Sequence, residues 1–398
     1  MSNKFLKTSN NFFDTVSTHI EFGSGKLNNL YEFLPDAKKA LIVTTNGKSV
    51  KRNGYLDKLI GNLDKKSMEY VLFDEIEPNP LNTTVDKGAD IAKEENCDII
   101  IAIGGGSAMD ASKAIALATN NPGKLWDYVQ FGTGGKKTPE NKALPLIAIP
   151  TTAGTGSEAD MGAVISNNET KEKTAIFGED LFPILSIIDP ELMVSVPEKY
   201  TAFQGFDAIS HSLEGYINGI VNMYSDMYAL EAIRNIHEYL PKAVNNGNDI
   251  EAREKVAFGS YLSGLVMSVG NTSSLHSLEH ALSAYHHNLT HGLGLILLSK
   301  AYFTFLIKKH VCDDRFIKLA KVMGIEDSED PMDFITALDQ FHKDIKVDKI
   351  KMSDYDVSPD EFEKMAHTAF DSMGMLFGVD RYKFTVDDVV KIYEESFE

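Results

Sequence analysis

Cysteine is almost absent from this chain. Cys97 and Cys312 are the only two in 398 residues, far apart and in no CxxC arrangement, which excludes a disulfide framework and a thiolate metal cluster and suits a reducing cytoplasm. Positive charge is scarce as well. With 39 Lys and Arg against 58 Asp and Glu, the net charge is −19 and no basic run stands out, so the surface repels phosphate backbones and nucleic acid is not an expected partner. Long apolar runs are missing too. The longest uncharged stretch, residues 256–275, is broken by Gly, Ser, Asn and Thr and reads as a buried helix rather than a membrane span. The opening MSNKFLKTSNNFF has no apolar core of a signal peptide, so export is not expected.

What is present is a sequence 43% hydrophobic and 24% charged, long enough for two packed domains. Short apolar runs at 39–45, 69–73, 98–103 and 144–149 alternate with helical patterns, the rhythm of a parallel sheet with crossover helices. Val85, Ala89 and Ala92 fall on one face of such a helix. The runs are continuous, as in strands buried on both faces. After residues 187–197 helical spacing takes over, so an α/β domain over 1–190 and an all-helical domain over 191–398 are expected.

Three patterns point to chemistry. In DIIIAIGGGSAMDASK a buried strand runs through Gly104, Gly105 and Gly106 into a helix start, where backbone N–H groups and the helix dipole can receive a phosphate. The alternative is a tight turn in which Ser107 and Asp110 form a capping box. The pattern is not GxGxxG, so the common dinucleotide fingerprint is absent. PTTAGTGSE at 150–158 follows another buried strand and adds the hydroxyls of Thr151, Thr152, Thr155 and Ser157. Two such loops at the carboxyl ends of parallel strands favour a nucleotide crevice. Finally, five of the eleven histidines fall within 276–291. Asp207 and His211, and again His276 and His280, stand four apart and share a helix face, a spacing that lets ligands converge on one ion. Asp207 and His211 taken alone also suit an ordinary i,i+4 pair. His286 and His287 are adjacent, so at least one is expected to be a solvated bystander.

PNP at 78–80, GGGSxxDxxK at 104–113, PTTAGTGSE at 150–158, GFDAISH at 205–211 and HxxxH with HG at 276–292 occur in this order along the whole chain. The ordered set resembles the iron-containing (group III) alcohol dehydrogenase family. The resemblance implies a Rossmann-like domain with a parallel sheet, an all-α domain, the architecture shared with dehydroquinate synthases, and a catalytic metal in the cleft between the domains. It implies metal ligation by Asp207, His211, His276 and His291. Coenzyme contacts are implied for Asn79 on a strand-borne PNP and for Gly105, Gly106, Ser107, Asp110, Thr151, Thr152 and Lys173. His280 matches the family's non-ligand histidine near the nicotinamide.

One carboxylate and three imidazoles suit Fe²⁺ or Zn²⁺. Acting as a Lewis acid on the substrate oxygen, the metal would serve hydride transfer between NAD(P)H and a short aliphatic aldehyde or alcohol. TTNGKSVKR at 44–52 carries Lys48, Lys51 and Arg52 and no acid, which tilts the coenzyme towards NADP(H) rather than NAD(H). The spacing from His280 to His291 is about one residue longer than in some relatives, which affects the loop around His286 rather than the ligands. Met161, Phe177, Phe206 and Tyr285 are candidates for the substrate pocket. A cytoplasmic homodimer is expected. The competing reading is a dehydroquinate synthase-like lyase that uses metal and NAD without net oxidation.

Overall fold

The computed structural model describes residues 16–397; the amino-terminal run read above for export lies outside them. The chain divides into two compact units. Of the described residues, one unit holds 16–197 together with 247–257, and the other holds 198–246 together with 258–397.

The strands of the first unit are β1 (His19–Phe22), β2 (Lys39–Thr45), β3 (Glu69–Ile76), β4 (Ile99–Gly104), β5 (Leu146–Pro150), β6 (Gly162–Asn167), β7 (Glu172–Phe177) and β8 (Leu185–Ile188). Between them lie helices α1 (Ser49–Arg52), α2 (Tyr55–Lys65), α3 (Asn82–Glu94) and α4 (Gly106–Thr119). Six strands form an all-parallel sheet in the order β1-β8-β5-β4-β2-β3, while β6 and β7 make a separate antiparallel hairpin.

The β-branched runs explain why the sheet is covered on both faces. Ile99, Ile101 and Ile103 pack with Ile42, Ile147 and Leu59 of α2. Their neighbours Ile100 and Ala102 point the other way, into a core with Val85 and Ala89 of α3 and Met109 and Ile115 of α4. Alternation along one strand thus feeds two cores. The chain steps from β2 out to β3, then returns past β2 to β4, so the strand order reverses between β2 and β4. The carboxyl ends at such a reversal open the crevice in which ligands of open α/β sheets bind, and the GGGS turn leaves β4 at that place.

The remaining helices are α5 (Glu198–Ile217), α6 (Met223–Asn245), α7 (Ile250–Gly270), α8 (Ser274–Tyr285), α9 (His291–Lys308), α10 (Asp313–Val322), α11 (Asp333–Asp344), α12 (Phe362–Val379) and α13 (Val386–Ser396). In the helical unit α5 packs on α6 and α9, and α8 packs on α9 and α12. Residues 256–275 do not form the single helix expected. Asn271 takes a left-handed backbone, φ 58°, and the chain breaks there before α8 begins. Among the described residues no helix is long and apolar enough to cross a membrane.

Candidate metal centre and coenzyme loops

Three helices of the second unit bring acid and imidazole together. Asp207 and His211 lie one turn apart on α5, His276 and His280 one turn apart on α8, and His291 is the first residue of α9. Asp207 Oδ1 stands 3.4 Å from His291 Nε2, 3.7 Å from His276 Nε2 and 3.7 Å from His211 Nδ1. Donor atoms of Asp207, His276 and His291 all lie within 4.8 Å of one another. His211 flanks this trio, its ring stacked on that of His276 with centroids 4.3 Å apart. The ring of His280 lies 5.4 Å from that of His291.

Burial and mutual charge shift the groups of the cluster in different directions. Burial alone would raise Asp207, yet His211 and His291 hold its carboxyl well below the usual range. Burial would likewise lower His276, but Glu214 and Asp207 raise it to about 10. Burial and the neighbouring His276 push His211 down to about 3.

Two carboxylates that the sequence reading missed complete the arrangement. Glu214, fully buried, accepts from His276 Nδ1 at 2.5 Å and takes the backbone N–H and Oγ of Ser273 on its other oxygen, both at 2.9 Å. Glu279, also fully buried, accepts from His291 Nδ1. A carboxylate on Nδ1 keeps a proton there, so Nε2 is the nitrogen that would offer its lone pair to an ion in place of its proton. A signal for both was available. The tetrapeptide His-Ser-Leu-Glu occurs at 211–214 and again at 276–279, and each glutamate reaches a histidine of another helix rather than its own: Glu214 that of α8, Glu279 that of α9.

Of the two other clustered histidines, His287 is exposed as expected, whereas His286 is buried. Its Nε2 meets Glu361 at 3.0 Å, so it ties the α8–α9 loop to the start of α12 instead of facing solvent. Phe206 is not a pocket residue. It is fully buried and stacks on Phe341 in the core. Tyr285 OH meets Thr368 Oγ1 at 3.1 Å, and Phe177 is exposed at the end of β7.

In the sheet unit the two glycine loops touch. Thr151 N donates to Gly104 O at 2.8 Å. A Cβ on Gly105 would stand 3.0 Å from Thr152 Oγ1, and one on Gly106 would stand 2.9 Å from Thr155 Oγ1, so only glycine permits this approach. The backbone before Ser107 is thereby left at the start of α4 with its N–H groups uncovered by side chain. Ser107 and Asp110 do not form the capping box, since α4 has no side-chain cap. Asp110 is instead half-buried, with desolvation raising it to about 6, and accepts from Ser157 Oγ at 2.7 Å and Val164 N at 3.0 Å. One oxygen thus holds the second loop, and the other the strand β6, against α4.

The PNP segment lies beyond the end of β3 rather than on it, and Asn79 there has φ 54°. Pro80 O accepts from Ser166 N at 2.8 Å, and Ser166 pairs in register with Lys173 across the β6–β7 hairpin. The hairpin, absent from the sequence reading, places Lys173 one strand beyond the residue that bonds the Asn79 loop.

Comparison with known proteins agrees in both halves. Residues 17–190 match the family "Iron-containing alcohol dehydrogenase", and residues 201–397 match "Fe-containing alcohol dehydrogenase family, C-terminal". The chain is 34% identical over 344 residues to an NAD-dependent methanol dehydrogenase of Bacillus methanolicus, covering 85% of this chain and 87% of that one. It is 33% identical over 367 residues to a 1,3-propanediol dehydrogenase of Citrobacter freundii, covering 90% and 92%. A crystal structure of a 1,3-propanediol oxidoreductase superposes with a TM-score of 0.89 at 31% identity, over 97% of this chain and 100% of that one. Matches along both halves decide for the dehydrogenase over the lyase, and the chain belongs to the iron-containing alcohol dehydrogenase family.

Proposed function

We propose that this protein exchanges hydride between NAD(H) and a short aliphatic alcohol or aldehyde, with divalent iron held by Asp207, His211, His276 and His291. The observation that carries the reading is the meeting of Asp207 Oδ1 with His276 Nε2 and His291 Nε2 at 3.4–3.7 Å. Donors around a tetrahedral ion at about 2.0–2.2 Å lie about 3.3–3.6 Å from one another. Asp207 Oδ1, His211 Nδ1 and His276 Nε2 are moreover buried without a hydrogen-bond partner, a cost that an ion would remove. The donor set therefore fits the metal, which when bound supplies Lewis acidity to the substrate oxygen. Zn²⁺ would fit the same donors, and the family favours iron.

The chain's own residues do the rest. Glu214 and Glu279 keep the protons of His276 and His291 on Nδ1. His280 is assigned to the nicotinamide or to carrying the proton to solvent, because it lies beside the cluster on α8 without being needed in it. Asn79, Gly105, Gly106, Ser107, Thr151, Thr152 and Lys173 contact the coenzyme, and Asp110 orients the loop that does so. In this reading residues 1–190 bind nucleotide and residues 191–398 bind metal.

Lys48, Lys51 and Arg52 argue for NADP(H), but Lys51 is engaged by Asp74 on β3, and the relatives are named NAD- or NADH-dependent. The coenzyme proposed is NAD(H). A ratio of kcat/KM above one for NADPH over NADH would reverse that choice. A cytoplasmic homodimer completes the reading, with sedimentation equilibrium as its check. The central test is His276→Ala: metal content of anaerobically purified protein and aldehyde reduction should be lost together. Retention of activity at normal iron content would reject the ligand assignment.

A further inference from the structure

His291 is the most exposed of the four proposed ligands, at 21% against 3–6% for the others. As the first residue of α9, it also has no preceding turn of helix to pack its ring. What holds the ring is Glu279 of α8, whose carboxylate accepts from His291 Nδ1 while Nε2 faces Asp207. Room for that carboxylate comes from Gly294, three residues along α9. A Cβ at 294 would stand 2.8 Å from Glu279 Cγ, 3.0 Å from its Oε1 and 2.9 Å from Leu289 Cδ2. The second glycine of THGLG therefore marks the place where the Glu279 side chain lies.

We propose that Glu279 is a positioning residue for His291, that Gly294 is the seat that admits it, and that together they set how tightly this chain holds its divalent metal. The proposal rests on the ligand assignment above. Glu214 does for His276 what Glu279 does for His291; Glu214 is held on its other oxygen by Ser273, and the Glu279 side chain lies in the space that Gly294 leaves in the neighbouring helix. Carboxylate contact fixes the tautomer, raises the basicity of the ligating nitrogen and removes the ring's rotational freedom. Outer contacts of this kind change metal affinity 10–100-fold.

The test compares Glu279→Gln, Glu279→Ala, Gly294→Ala and the double variant E279A/G294A as full-length proteins. Dissociation constants for Fe²⁺ and Co²⁺ are measured anaerobically against a chromogenic chelator, with the visible spectrum of the Co²⁺ form and the melting temperature of the metal-free form alongside. Glu279→Ala should weaken binding by about 10–100-fold and alter the Co²⁺ bands. Glu279→Gln, which still offers an acceptor oxygen, should lose less. Gly294→Ala should approach Glu279→Ala in affinity although alanine is the better helix former, so metal-free stability should not fall with it. In E279A/G294A the glycine substitution should add nothing, because both changes remove one contact.

Wild-type affinity and an unchanged Co²⁺ spectrum in Glu279→Ala and Gly294→Ala would overturn the proposal. So would two ions per chain, which would make Glu279 a ligand with His280 and His291, whose donor atoms also lie within 4.8 Å. If Glu279→Ala does not fold, Gly294→Ala decides alone. Loss of metal in His276→Ala with none in these variants rejects this proposal only; retention of metal in His276→Ala rejects the ligand assignment and this proposal with it.

Discussion

Lys113 Nζ donates to Asp160 Oδ1 at 2.7 Å from a side chain with no solvent exposure. Its other protons go to the carbonyls of Asp160 at 2.9 Å and Gly162 at 2.8 Å. Three donors thus find three acceptors, and the chain leaving the PTTAGTGSE loop is pinned to α4. Lys113→Met keeps the apolar stem but strands a carboxylate and two carbonyls. Stability should fall by about 3–5 kcal/mol, the usual result of breaking a buried ion pair. Urea denaturation reads it directly, and a loss under about 1 kcal/mol would mean that water can take the place of the ammonium.

Gly106→Ala puts a methyl against Thr155, where the two glycine loops meet. A methyl there would stand 2.3 Å from Thr155 Cγ2, so the loops must separate or Thr155 must turn, and coenzyme binding should weaken about tenfold, or about 1.4 kcal/mol. Titration calorimetry with NADH measures it. An unchanged dissociation constant would show that Thr155 simply turns aside.

Removal of metal should loosen one unit more than the other. The proposed ligands come from α5, α8 and α9, so an ion held at about a thousand times its dissociation constant adds about 4 kcal/mol to that unit. After chelation, amide hydrogen exchange should quicken in residues 198–217, 274–285 and 291–308 and remain as it was in the strands of the sheet. Equal acceleration in both would count against the assignment.

His342 gives a pH dependence with a definite sign. Burial lowers it to about 4, with Asp339 opposing, and its ring lies tilted against Phe206 with centroids 5.0 Å apart. The folded value lies below the unfolded value of about 6.5. Its contribution is therefore fully present above pH 6.5 and is lost as pH falls from there to about 4, where the folded protein finally takes the proton. The sum over that window is on the order of 3 kcal/mol. The stability difference between wild type and His342→Gln should shrink as pH falls through that window; a constant difference would refute the assignment.

How much of this was readable in the linear sequence depended on whether a signal was local. The run from Ile99 to Ile103 declares a strand buried on both faces because every side chain is apolar, and Asp207 with His211 declares a shared helix face by spacing alone. The β6–β7 hairpin does not declare itself, since GAVISN and EKTAIF mix polar and apolar residues without alternation. Phe206 stands next to Asp207 in sequence, yet a helix turns adjacent residues about 100° apart, and Phe206 ends in the core. Glu214 and Glu279 each sit three residues after a histidine, where a glutamate reads as a surface i,i+3 partner. Their real partners lie on other helices. Even the repeated HSLE acquires meaning only when the packing of α5, α8 and α9 is known.

Glu214 and Glu279 also alter what can approach the centre. With Asp207 they would place three carboxylates around the one proposed dication, so the cluster would keep a surplus negative charge in a buried setting where Coulomb forces are weakly screened. Alcohols and aldehydes are neutral and meet no penalty there. A carboxylic acid, one oxidation level above the aldehyde, arrives as an anion and is repelled. Organic acids that accumulate around a working alcohol dehydrogenase should therefore be feeble inhibitors of this one, and the same charge that steadies two histidines screens the site against them.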